Sequence, residues 1–489
     1  MLSPFVLISI IIAYFLVLIL ISQWTSKNTD NQDFFNANKQ SPWILVAIGM
    51  IGATLSGVTF ISIPGVVGAG GVNQSFSYMQ MVLGYIVGYF LIATVLMPIY
   101  YRYNLTSIYG YLGDRFGPRS HKTGAFFFLV SRIIGASFRL FLVALVFQTI
   151  LGDLIHVPFW LIVLVTIVLI WIYTFRGGIK TIVVTDVIQT FSMLLAVLLT
   201  LYGITSALDI GFADIPQKIK EANLGQWFYF ESGWSDPNNF YKQFISGALM
   251  ALVMTGLDQD MMQKNLTCRT LKDAQKNMFL FTFVLVFAKL LFLYTGAMLY
   301  VYAQTKGIEL PTRTDQVYPM LAINYLGPVV AISFVIGIIA AAYSSADSAL
   351  TALTTSFCVD FLGFENSDKK ETEKKATRLK VHISFSVILF LVIIAFELIN
   401  NQAVINGIFT AAGYTYGPIL GLFAFGILSK RAIRDKYVFW ICLAAPLLSF
   451  VIDKNSDFLL GGFKFGFLLL ALNGFLTFLG LLAISYKKP

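Results

Sequence analysis

Runs of about twenty apolar residues recur along this chain at short intervals, and no other feature restricts its fold so tightly. A helix needs about 20 mostly apolar residues to cross the hydrocarbon core of a bilayer. Thirteen segments meet that requirement: 4–24, 42–64, 75–101, 122–151, 157–175, 181–206, 240–262, 276–305, 326–360, 379–399, 402–427, 436–452 and 465–486. With 57% hydrophobic and 12% charged residues and a mean hydropathy of +0.77, the 489-residue chain reads as an all-α polytopic membrane protein of the plasma or inner membrane. The first segment has no Lys or Arg before it and no small-residue cleavage site after it, so it is expected to stay as a helix.

The basic residues orient the spans. With the N-terminus outside, 24 of the 34 Lys and Arg fall in segments facing the cytoplasm and 6 in the opposite loops. That asymmetry predicts thirteen spans with the C-terminus cytoplasmic. It also accounts for the net charge of +9, which faces anionic lipid and needs no nucleic acid. The other four bases are Lys242, near enough to a helix end to snorkel, and Arg132, Arg139 and Lys289, which no loop can hold. Three cysteines, Cys268, Cys358 and Cys442, suggest neither a disulfide framework nor a zinc site.

The second span contains Gly49, Gly52 and Gly57 among hydroxyls, followed by Pro64 and Gly65, which predicts a discontinuous helix lining a cavity. Five spans later, 240–262 enters from the other side with Gly247 and Gly256. We therefore expect one membrane domain, 1–489. It has an extra N-terminal helix within 1–30, a five-helix repeat over 42–206, an inverted second repeat over 240–427, and two C-terminal helices over 436–486. No residue-level repeat accompanies that topology.

An ionisable residue in a span costs roughly 2.5–3.5 kcal/mol at the helix centre and marks function by default. Two acids stand out, Asp186 and Asp347. On the ninth span Ser344, Asp347, Ser348, Thr351 and Thr355 share one helical stripe, with Ser345 beside it. Hydroxyls with one carboxylate suit a hard monovalent cation such as Na+, and a proton site stays open. Asp186 either orders its own loop with Lys180 or completes the cation site. Arg132 and Arg139, seven residues apart, either pair with acids or bind a carboxylate-bearing substrate, and Arg139 is nearer mid-depth. Lys289 is a substrate contact or an ion-pair partner. No phosphate-binding loop and no H-E-x-x-H are present, which argues against an ATP-driven pump and an intramembrane enzyme. A channel or a solute sensor stays open.

Four stretches, "YTFRGGIKTIVVTDVIQ", "GLDQDMMQKNL", "AAYSSADSAL" and "GYTYGPILGLF", together resemble the sodium:solute symporter family, whose members carry sugars, proline, sialic acids and iodide. The resemblance runs from about residue 25 to 430. It implies a LeuT-type 5+5 inverted repeat and Na+ as coupling ion. It further implies a main Na+ site from the carbonyls of Gly52, Leu55 and Ala341 with the hydroxyls of Ser344 and Ser345. A second cation site would use Asp186, Ser344, Asp347 and Ser348; the family has a hydroxyl where Asp347 stands. The broken helix is most similar to the sialic acid and other anion-carrying branches, which implies Ser56 and Thr59 at the substrate with Arg139 or Arg132. Sugar carriers use a lysine that Lys289 could match. The expectation is Na+-coupled import of a small polar, anionic solute by alternating access, with a Na+/sugar symporter as the alternative. The expected partners are that solute, Na+ and the bilayer, with no nucleic acid and no obligatory protein partner.

Overall fold

Glycine and proline decide where the apolar helices run straight and where they bend. The computed structural model describes residues 4–25, 31–148, 157–231, 233–364, 367–399 and 404–487. Among these, nine helices are long and apolar enough to cross a membrane, and three helix pairs bend by more than 40° at a short break. Together with the shorter apolar helix Phe159–Ile172 they fall in turn on the thirteen segments read from the sequence. Residues 149–151 and 402–403, assigned above to the fourth and eleventh spans, lie outside the described residues, as do 1–3 and 26–30 of the N-terminal stretch.

The second span is Trp43–Thr54 followed by Val58–Val66, bent by 60°. The seventh is Phe240–Gly256 followed by Gln259–Asn265, bent by 67°. The first break falls in the helix expected to be discontinuous, and the second directly after Gly256. A third was not expected: Val404–Thr415 turns by 48° into Gly417–Leu428. There Pro418 occupies the first turn of the new helix, where its missing N–H does no harm, and disfavours continuation of the old one. The run Phe159–Leu208 is interrupted at Gly178, whose φ of 51° suits glycine; a Cβ there would meet the Phe34 ring at 2.5 Å.

Packing follows the small residues. The third span lies backbone to backbone on the seventh, since a Cβ on Gly84 would come within 2.0 Å of the Phe244 carbonyl oxygen and one on Gly247 within 2.0 Å of that of Met81. The ninth span, Gly327–Ser356, is buried at every residue from Gly337 to Ser356, so its hydroxyl stripe faces protein, not lipid. Phe60, just past the break of the second span, stacks on Tyr318 at 5.4 Å and meets Phe334 at 5.6 Å. The N-terminal helix Pro4–Thr25 docks Phe15 edge-on to Tyr343 of the ninth span at 4.6 Å. The only strands among the described residues are Ala432–Ile433 and Ser485–Tyr486, a two-residue antiparallel ladder.

Lys242 corrects one expectation. It does not snorkel to water but is 3% exposed, donating to the carbonyls of Trp234 (2.8 Å) and Lys464 and lying 4.7 Å from the Phe463 ring. Carbonyls and an aromatic face replace its hydration.

Candidate ion and solute sites

A broken helix exposes carbonyls with no intrahelical partner, and inside a membrane each must find another donor or a cation. At the second-span break, Ser344 Oγ of the ninth span donates to the Gly52 carbonyl at 3.1 Å and lies 3.5 Å from that of Ala341. Leu55, buried at the break with ψ of 57°, keeps its N–H on Ile51. The Ser345 hydroxyl is buried with no hydrogen-bond partner. Of the five residues of the expected main Na+ site, Gly52, Ala341 and Ser344 meet directly. The donor set is neutral hard oxygen, the chemistry that suits Na+, and the orphaned Ser345 hydroxyl fits a missing ligand. Gly52 must be glycine: a Cβ would lie 2.3 Å from Thr190 Oγ1 and 2.9 Å from the Asp186 carbonyl. Thr190 Oγ1 in turn reaches the carbonyls of Ile48 (2.9 Å) and Asp186 (2.7 Å).

The second expected site differs from the reading of its sequence. Asp186 is fully buried, and its cationic partner is Lys264, whose ammonium lies 2.6 Å from Oδ2. Lys264 lies just past the seventh segment, 240–262, read from the sequence; it is 1% exposed, on the second helix of the broken seventh span. Asp186 Oδ1 has no hydrogen-bond partner. Asp347, also fully buried, accepts the Ser348 N–H at 2.5 Å and lies within electrostatic reach of Asp186. The Ser348 hydroxyl bonds back to the Ser344 carbonyl at 2.9 Å, the ordinary habit of a helical serine.

Between the breaks lies a cavity of about 90 Å³. Its lining includes the polar Arg139, Lys289, Ser56, Thr59, Tyr78 and Tyr85 and the apolar Met250, Met254, Ile405 and Phe409. Lys289 donates to Thr59 Oγ1 at 2.7 Å, and Tyr78 and Tyr85 share a hydrogen bond of 3.1 Å. All the expected substrate residues therefore line one space. Arg132 is already engaged: it is ion-paired with Asp260 and lies 3.9 Å from Asp258 Oδ2. Among the described residues Arg139 makes no hydrogen bond or ion pair. Among the described residues the bases Arg132, Arg139 and Lys289 line the cavity, and Asp258 and Asp260 lie against Arg132.

The residues missed in the sequence are concentrated in "GLDQDMMQKN". Asp258 caps the helix Gln259–Asn265, accepting from the N–H groups of Asp260 (2.9 Å) and Met261 (3.4 Å), and also accepts from Tyr416 of the eleventh span. Tyr100 and Tyr109 donate to the free carbonyls of Gly256 (2.8 Å) and Leu257 (2.9 Å). Gln259 bonds Ile108 N–H and the Thr106 carbonyl, and Gln263 bonds the Phe35 carbonyl and Thr355 Oγ1. Two aspartates inside a span, one at a helix-capping position, were the available signal.

Residues 34–436 match the profile of the sodium:solute symporter family. The chain belongs to that family. Over 457 residues it is 25% identical to the sodium/sialic acid symporter SiaT of Proteus mirabilis (strain HI4320), covering 90% of this chain and 88% of that protein. Over 438 residues it is 25% identical to the human sodium/iodide cotransporter, covering 85% and 66%. A substrate-bound, outward-open Na+-coupled sialic acid symporter superposes with a TM-score of 0.81 at 19% identity over 99% of both chains. Mhp1, a nucleobase-cation-symport-1 family transporter, gives 0.55 at 14% identity over 92% and 93%. The symporter therefore has the LeuT-type fold, is a multi-pass membrane protein and not an enzyme, and couples solute import to Na+.

Proposed function

We propose that the symporter imports a small anionic solute whose carboxylate docks on Arg139. The observation that carries this reading is the Arg139 guanidinium, which lines the cavity and has no ion-pair partner among the described residues. Buried charge without a partner is costly, so an anion fits here better than a neutral sugar. Ser56, Thr59 and Lys289 offer hydroxyl and ammonium contacts to the rest of the solute, consistent with the sialic acid carried by SiaT. Lys289 also keeps a second reading in view, in which the solute is a neutral sugar.

Na+ sits on the carbonyls of Gly52, Leu55 and Ala341 with the Ser344 and Ser345 hydroxyls, tying the broken second span to the ninth. A second cation sits at Asp186, Ser344, Asp347 and Ser348. Binding favours one state of an alternating-access cycle, and solute and ion leave together from the other. The thirteen spans run with the N-terminus outside, residues 42–206 and 240–427 form the inverted repeats, and no obligatory protein partner is needed.

Purified protein in proteoliposomes tests this reading. Labelled sialic acids and other carboxylates should accumulate only under an inward Na+ gradient. Uptake of neutral sugars in preference to any carboxylate would overturn the anionic reading, and equal uptake with K+ or a pH gradient would remove Na+ coupling.

A further inference from the structure

The cavity between the breaks is small and only partly polar. Its volume of about 90 Å³ has room for about six to eight water-sized atoms. Pockets that enclose larger organic ligands measure about 300–1,000 Å³. Half of the lining residues are apolar, among them Met250, Met254, Ile405 and Phe409. Phe409 is backed by the Phe467 ring, edge-on at 5.0 Å. Most of the polar groups are committed to one another: Lys289 to Thr59 at 2.7 Å, Tyr78 to Tyr85 at 3.1 Å, and Arg132 to Asp260. Arg139 has no such partner among the described residues, and Thr54 Oγ1 is buried without one.

We propose that the solute is a short-chain monocarboxylate with an apolar tail. Room for about six to eight non-hydrogen atoms corresponds to a chain of about four to six carbons. This rests on reading Arg139 as the carboxylate anchor. The carboxylate takes the guanidinium fork, and the tail packs among Met250, Met254, Ile405 and Phe409. Methionine side chains are flexible and polarisable, so branching of the tail is tolerated while its length is not. A sialic acid is disfavoured twice. It is larger than the cavity, and its hydroxyls would meet few free partners, each unpaired one at a cost. A neutral sugar meets the same shortage and leaves Arg139 unpaired besides.

A homologous series measures the cavity. Binding to the purified protein is read from melting shifts in Na+ with acetate, butyrate, pentanoate, hexanoate and octanoate, beside a sialic acid and glucose. Binding, unlike uptake, is not obscured by passive leak of short acids through lipid. Affinity should rise with each methylene to an optimum at about four to six carbons and fall by about 10-fold or more beyond it. Met254→Ala and Phe409→Ala should each move the optimum to a longer acid, and Arg139→Gln should weaken the whole series by about 100-fold. Met254→Ala, the smaller change, carries the test if Phe409→Ala fails to fold. Affinity still climbing at octanoate, or an optimum unmoved in Met254→Ala, would overturn the size limit. A sialic acid binding at least as tightly as every short acid would overturn the short-chain inference and leave the anionic reading standing. Glucose binding in preference to every acid would overturn the anionic reading itself.

Discussion

Ser344 Oγ donates to the Gly52 carbonyl at 3.1 Å, joining the ninth span to the last turn before the break of the second. The bond closes the same gap that Na+ would bridge. Ser344→Ala should therefore leave an unpartnered carbonyl and a poorer ion site, and Ser345→Ala should remove a hydroxyl that nothing else satisfies. One hydrogen bond contributes about 1 kcal/mol. Each variant should raise the Na+ concentration for half-maximal uptake by about 5- to 10-fold, read from Na+ titrations of initial rates. An unchanged titration for Ser345→Ala would take that residue out of the site.

The two arginines of the fourth span should fail in different ways. Arg132→Gln leaves the buried carboxylates of Asp258 and Asp260 without their cation, a change that costs about 3–5 kcal/mol in stability. It should lower the melting temperature whether or not solute is present. Arg139→Gln breaks no ion pair and should melt normally. It should still lose anionic solute binding by about 100-fold, equivalent to about 2.7 kcal/mol. Thermal melts beside solute titrations separate the two, and a stable Arg132→Gln would contradict the pairing.

Lys289→Met should distinguish anchoring from assistance. The ammonium holds Thr59 Oγ1 on the cavity wall, and Thr59 Oγ1 in turn lies 3.3 Å from the Thr54 carbonyl. Losing that bond should weaken solute binding by about 10-fold, near 1.4 kcal/mol, without removing the need for a carboxylate. If the variant abolished all uptake while Arg139→Gln did not, the sugar reading would gain at the expense of the anion.

Gly52→Ala should be among the most damaging small changes in the protein. Its methyl group would enter the space of Thr190 Oγ1 and the Asp186 carbonyl, and that carbonyl is backbone that cannot rotate aside. Loss of Na+-dependent stabilisation, scored by melting with and without Na+, is the expected result. Full retention would mean that the second and sixth spans are farther apart than they lie here.

Much of the fold could be read directly, because apolar length and glycine placement act locally: each of the thirteen segments carries a helix, and the breaks near Gly52 and Gly256 fall where small residues cluster. The break at Tyr416 was harder to see, since Gly417 and Pro418 stand inside one continuous apolar run. The cavity gathered the expected Ser56, Thr59, Arg139 and Lys289 because helical register places them at similar depth. Lys264 escaped because hydropathy treats a cation just beyond an apolar stretch as loop. Only the tertiary fold reveals that the stretch bends by 67° and carries the lysine back into the protein. Asp258 and Asp260 escaped for the related reason that their partner, Arg132, lies more than a hundred residues away in sequence.

The short helix Gln259–Asn265 begins beside Arg132 and ends at Asp186. Seven residues span about 10 Å. One end lies in the cavity compartment and the other in the compartment of the Asp186 carboxylate. Two opposite unit charges that far apart attract by about 1.7 kcal/mol at an effective dielectric of 20. A solute anion arriving at the first compartment and a cation at the second would each raise the affinity for the other by roughly 15-fold through the field alone, before any helix moves. Part of any cooperativity between ion and solute would then lie in how this one helix spaces the two sites, and the conformational cycle adds to it.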